Sequence, residues 1–221
     1  MRQEIQLNQP FSKVRCRDIG TLILTQGDQP SLTVEADEEL LAKLVAEVRG
    51  DSLFLGLDED WFAQFGKMFS SIFTEPDRKI TYHLTVTDLD QIHISGKMDL
   101  ACDTFKARDP KLQISGLGQL SFGHLECTNL KVSISGRGEF SGAGWAEHQS
   151  IHISGSGEYK TPHLASQTAQ IVISGQGNAT LRVEESLDIT ISGMGKVHYY
   201  GQPKMRQVIS GMGKTKRLND Q

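Results

Sequence analysis

The sequence predicts an all-β solenoid: a single-stranded parallel β-helix. Its coils are about 18–20 residues long, and one or two short helices lie in the N-terminal half. Three observations carry this expectation. The tripeptide Ile-Ser-Gly recurs seven times, with its glycines at Gly96, Gly116, Gly136, Gly155, Gly175, Gly193 and Gly211. A repeat of this length marks stacked units that bury their apolar faces only against one another. An apolar residue also stands four positions before the glycine in every copy from Ile92 to Ile189, with Gln207 alone breaking the series. Apolar, mostly polar, apolar is a period of two, the signature of a strand with one buried face. Finally, a second glycine completes Gly-x-Gly in six copies, and Met98 replaces it in the first. Glycine reaches positive φ without steric cost, so each strand is expected to end at a sharp corner.

The elements follow in order. In residues 1–90, short alternating bursts such as KVRCR, TLILTQ, SLTVEA and SLFLGL read as strands punctuated by Gly, Asp and Pro. Between them, Leu40, Leu41, Leu44, Val45 and Val48 have helical spacing after a run of acids, with Gly50 as a stop. A helix over about 37–48 is expected, lying across the N-terminal end of the solenoid. A second helical insertion is expected over about 58–74, where Trp61, Phe62, Phe65, Phe69 and Phe73 fall on one helical face. Such an aromatic stripe docks on the solenoid, forms a surface for assembly or binds a membrane, and the acids that open the segment are the wrong charge for anionic lipid. Residues 91–215 form the regular coils, continuous with the first part as one domain, and 216–221 form a polar tail. Within each coil the strand after the corner carries its own apolar column: Leu100, Leu120, Phe140, Tyr159 and Val197, with weaker Ala179 and Thr215. Met194 and Met212 occupy the same motif position in adjacent coils and are expected side by side on the outside, as further interface candidates. The last coil is expected to be partly open or covered by a partner subunit.

Several function classes are disfavoured. The formal charge is −4 and the isoelectric point near 6.0, without the basic stripe of a nucleic-acid binder. There is no apolar run of membrane-spanning length. The opening MRQEIQLNQPF has no apolar signal region, so Met1 is either native or stands in place of a removed leader. Cys16, Cys102 and Cys127 are odd in number and lack CxxC spacing, which reads as buried thiols.

The leading strands FSKVRCRDIGTLILTQGDQPSLTVEADEELLAKL, followed by the Ser-Gly-x-Gly series, resemble the bacterial head GIN domain family of putative autotransporter adhesins. The resemblance covers residues 10 to 215. It implies a right-handed, single-stranded parallel β-helix of pectin-lyase-like architecture and an adhesion or cell-envelope role, and it brings no catalytic residues. Export follows from the resemblance; a cytoplasmic location follows if Met1 is native.

Carbohydrate-cleaving enzymes share this architecture, so the carboxylates need testing. Asp99, Glu139 and Glu158 share one phase, three after the motif glycine. Gln119 interrupts them, and Asn178, Lys196 and Lys214 continue the column. This is a stripe passing from acidic to basic, as an exposed strand face also is. His93 and His152 share a phase but stand three coils apart, ~14 Å, too far for one metal. No catalytic, cofactor or metal residue is therefore assigned. The expected function is a non-enzymatic scaffold or binding protein, with a possible protein or glycan ligand on a β-helix face and a possible homo-oligomer. A carbohydrate-active enzyme with an unrecognised site and a self-assembling structural protein are the alternatives.

Overall fold

The computed structural model describes residues 1–17, 19–58 and 80–219. In chain order the N-terminal part contains β1 (Arg2–Ile5), β2 (Lys13–Cys16), β3 (Ile19–Gln26), β4 (Ser31–Glu35), α1 (Glu38–Leu41), β5 (Leu44–Arg49), β6 (Ser52–Leu57) and β7 (Thr81–Val86). The repeats begin with β8 (Gln91–Ile94), β9 (Lys97–Ala107), β10 (Lys111–Ile114), β11 (Leu117–Ile134), β12 (Arg137–Ile153) and β13 (Ser156–Ala165). They continue through β14 (Thr168–Ile173), β15 (Gln176–Arg182), β16 (Ser186–Ile191), β17 (Met194–Tyr200), β18 (Lys204–Ile209) and β19 (Met212–Arg217). All nineteen strands hydrogen-bond into one sheet wound into a solenoid.

The repeats stack in register, motif on motif. Ile94 pairs with Ile114, Ile114 with Ile134, and the column continues through Ile153, Ile173 and Ile191 to Ile209. The first six of these are at most 1 % exposed, so the predicted ladder is the core. A second interior column holds rings: Phe105, Phe122, Phe140 and Tyr159 follow one another at centroid separations of 5.7, 5.8 and 5.2 Å. The Tyr159 hydroxyl, fully buried, donates to Gln149 Oε1 at 2.5 Å, and the Gln149 amide donates to Leu164 O. A buried hydroxyl and a buried amide thus satisfy each other inside an apolar stack.

The corner needs glycine for a different reason from the one expected. The first motif glycines do not have positive φ. What they share is closeness: a Cβ on Gly116, Gly136, Gly155, Gly175, Gly193 or Gly211 would lie 2.0–2.3 Å from a carbonyl oxygen of the coil before. Hydrogen bonds draw the backbones together there. Ile114 O accepts both Ser135 N and Gly136 N, and Gly116 O accepts Arg137 N, a pattern repeated up the stack. At Gly138, Gly157, Gly177 and Gly213 the second glycine faces inward, where a Cβ would strike the isoleucine of the coil below, 2.7 Å from Ile114 at Gly138 and from Ile153 at Gly177; at Gly118 and Gly195 it would lie 2.0 and 2.2 Å from a backbone carbonyl oxygen of that coil. In the one copy without it, Met98 is buried and the rung below Ile94 is Cys16, a smaller side chain.

The N-terminal part departs from chain order. β2 and β3 lie directly beneath the first motif coil, pairing with β8 and β9. β6 and β7 form the next coil outward, on the other side of β2 and β3. Antiparallel strands then close that end: β5 on β6, β4 on β7, and β1 on β4. The helix expected over about 37–48 is a single turn, α1, and residues 44–49 are strand. Leu44, Ala46 and Val48 alternate as well as they fit a helix, and alternation lets them pack on the core beside β6. Gly50, at φ +62, takes the first position of the two-residue turn to Ser52, where a type II′ hairpin places glycine. The aromatic insertion over about 58–74 lies, apart from Asp58, outside the described residues.

At the other end the last described coil is exposed. Ile209 is 38 % exposed, and every residue of β18 is exposed. Among the described residues β18 and β19 pair on one side only.

Replacing Gly136 by Ala should lower unfolding free energy by about 3 kcal/mol, since two backbones must separate. Gly142→Ala, whose Cβ would meet nothing nearer than 3.7 Å, should stay within about 1 kcal/mol of wild type. Urea unfolding followed by circular dichroism compares them; equal losses would refute the close-approach account.

Candidate binding groove

The backbone of the second motif glycines floors a trough along the corner, between the outward-facing residues on either side of it. Its floor is Gly118, Gly138, Gly157, Gly177 and Gly195, and one wall is the residue between the glycines: Arg137, Ser156, Gln176, Met194 and Met212. The other wall is the charge-graded column: Glu139, Glu158, Asn178, Lys196 and Lys214. This stretch encloses about 740 Å³. A second stretch of about 490 Å³ shares Gly118 and Arg137 and runs on past Leu117 and Lys97 to Gly20. From the Lys97 rung to the Met212 rung there are six steps, a groove of ~29 Å at ~4.8 Å per step.

The graded wall is a ladder whose members hold one another. Asp99 Oδ1 accepts Gln119 N at 3.0 Å, and the Gln119 amide reaches Glu139 Oε1 at 3.4 Å. Lys160 Nζ lies 2.9 Å from Glu139 and 3.1 Å from Glu158. Those two carboxylates push the Lys160 ammonium above its usual range. Asn178 Oδ1 accepts Lys196 N at 3.2 Å. Glu139 and Glu158 are therefore bridged by one cation on a solvated wall, which is not the isolated acid and base that glycoside cleavage needs.

His93 and His152 share one column and stand three rungs apart in register. His93 Nε2 meets Ser115 Oγ at 2.7 Å, and partial burial, with Arg15 and Arg17 nearby, lowers its pKa. His148 Nδ1 meets Thr168 Oγ1 at 2.8 Å. Among the described residues no group of three or more His, Cys, Asp or Glu is placed to hold a metal. No helix among them is long and apolar enough to cross a membrane.

Met194 and Met212 are register partners, 40 % and 74 % exposed, and close the C-terminal end of one groove wall. Trp61, Phe62, Phe65, Phe69 and Phe73 lie outside the described residues. The repeat shows the glycines as corners and hides the groove, although one glycine column between two lined columns is visible in it. It also hides Gln149 as the partner of Tyr159, because the residue that Gln149 needs is ten positions away.

The sequence model of the family described as "Putative auto-transporter adhesin, head GIN domain" matches residues 10–203. Among solved structures, a putative adhesin from Bacteroides fragilis is similar, with TM-score 0.85 and 22 % identity over 99 % of this chain and 96 % of that one. A putative adhesin from Parabacteroides merdae gives TM-score 0.74 and 18 % identity over 99 % and 95 %. A putative lipid binding protein from Parabacteroides distasonis gives 0.73 and 21 % over 99 % and 96 %. No curated protein matches the chain.

The three cysteines are buried and form no disulfide. Burial pushes the Cys102 thiol up to about 11 and the Cys127 thiol up to about 12. At pH 8 the reactive thiolate is then about one part in a thousand at Cys102 and less at Cys127. Native protein should show no prompt reaction with Ellman's reagent at pH 8, and three equivalents should appear on denaturation. A fast-reacting thiol in the native state would contradict this burial.

Proposed function

The chain belongs to the head GIN domain family of putative auto-transporter adhesins, and from that premise we propose that it is a non-enzymatic, envelope-associated scaffold. In this reading it holds an extended polymer along the glycine groove. The observation that supports it is the groove itself: ~29 Å of trough with side chains presented at every coil and backbone groups already used between coils. Corner amides such as Arg137 N, Ser156 N and Gln176 N donate to the coil below. A ligand is thus met by side chains rather than by strand addition. Arg137, Lys196 and Lys214 offer cations, Gln176 and Asn178 amides, and Met194 and Met212 an adaptable apolar edge. An extended chain lying along the axis meets several of these in turn, each contact weak and the sum substantial.

The stripe supports binding over cleavage, because its carboxylates are bridged by Lys160 rather than set apart around a bond. The experiment is a binding screen of the intact chain on immobilised glycans and extracellular-matrix proteins, with an Arg137→Ala/Lys196→Ala/Lys214→Ala variant beside it. The expected result is a surface that retains wild type and binds the variant at least about tenfold more weakly, about 1.4 kcal/mol. Equal binding by the variant, or no retention on any surface, would overturn the groove reading.

A further inference from the structure

We propose that the exposed C-terminal coil is a docking face for the N-terminal end of a second copy of this chain, so that copies stack head to tail along the solenoid axis. This site is separate from the groove and does not rest on the binding reading.

The apolar case comes from one comparison. The isoleucine column is at most 1 % exposed from Ile94 to Ile191, but Ile209, its last rung, is 38 % exposed. Met205 is 41 % exposed, whereas Leu187, the rung before it in the neighbouring column, is fully buried. The last coil therefore presents core-type side chains on a face that every earlier coil covers with its successor.

The polar case selects the occupant. Between Lys204 and Arg217 stand five cations, Lys204, Arg206, Lys214, Lys216 and Arg217, and no acid. Two C-terminal faces brought together would set like charges against each other. The opposite end is acidic: β1, β4, α1 and β5 carry Glu4, Glu35, Glu38, Glu39 and Glu47, with Asp37 at the helix start. Three cations there are already engaged, Arg2 with Glu35, Lys43 with Glu39 and Arg49 with Glu47. A basic end and an acidic end on one molecule attract in one orientation only.

The strands agree. Each end has two rim strands, one per wall: β18 and β19 at the C-terminal end, β5 and β1 at the other. The wall ending in β18 begins with β5, and the wall ending in β19 begins with β1. Stacking copies coaxially sets β19 against β1 in parallel orientation and turns β18 toward β5 antiparallel but one rung short of it, because the wall that begins with β1 is one strand longer. Such a contact joins different faces of identical subunits, so it extends rather than closes.

Sedimentation velocity of the intact chain tests this. Between about 10 µM and about 1 mM, the weight-average mass should rise at least twofold above the 24.4 kDa monomer without stopping at a dimer. It should fall back in about 0.5 M salt, where charges are screened within a few ångströms. A Lys204→Glu/Arg206→Glu/Lys216→Glu variant should be monomeric, as should a Glu4→Lys/Glu47→Lys variant. Mixing the two should restore the large species, because each end again meets its opposite. Unchanged circular dichroism melts confirm that both variants fold, and the salt response of wild type tests the proposal without them. A concentration-independent monomer, a species that stops at two copies, or assembly retained in either single variant would overturn it.

Discussion

The close approach of backbones at the glycine corner governs this structure. One carbonyl per coil accepts two amides from the coil above, and the next glycine carbonyl accepts a third. That arrangement leaves no room for a Cβ at the first glycine, and an isoleucine or a carbonyl of the coil below leaves none at the second. Everything regular follows from it. Registers do not drift, isoleucine stacks on isoleucine, and the backbone of the second glycines becomes the floor of a trough between two outward-facing columns. A groove lined at regular intervals is thus a by-product of how the core is built, and function can be written into its walls without disturbing the fold.

Most of the repeat was legible because it is local. Ile-x-Ile-Ser-Gly-x-Gly states strand, corner and inward face within seven residues, and the structure keeps all three. The reason for glycine was not legible, since φ is a local property and close approach involves a coil 20 residues away. The N-terminal end was harder for the same reason. Leu44, Ala46 and Val48 satisfy a strand as well as Leu40, Leu41, Leu44 and Val48 satisfy a helix, and only the presence of β6 decides between them. Nothing local says that β6 and β7 lie outside β2 and β3 instead of following them. The pairing of Met194 with Met212 was readable from phase alone. The Tyr159–Gln149 pair was not, because it links two columns across the interior.

Charge is arranged along the same axis. The groove wall passes from Asp99 and Glu139 to Lys196 and Lys214, and the two ends of the solenoid repeat that direction at larger scale. In the lower part the charges are tied to one another, by Lys160 between Glu139 and Glu158. An elongated body with a polar axis and a groove parallel to it is a plausible form for a member of a family of putative adhesins. In the proposed reading, length sets how many contacts a bound chain can make, and end-to-end polarity sets how copies align.

The most direct test of the corner as the governing constraint is native-state hydrogen exchange resolved to single amides. If coils are locked there, Arg137 N, Ser156 N and Gln176 N exchange as slowly as the amides of the adjoining isoleucine strands, all through one common opening. If these corner amides exchange orders of magnitude faster while the strands stay protected, the corners fray independently and the account is wrong.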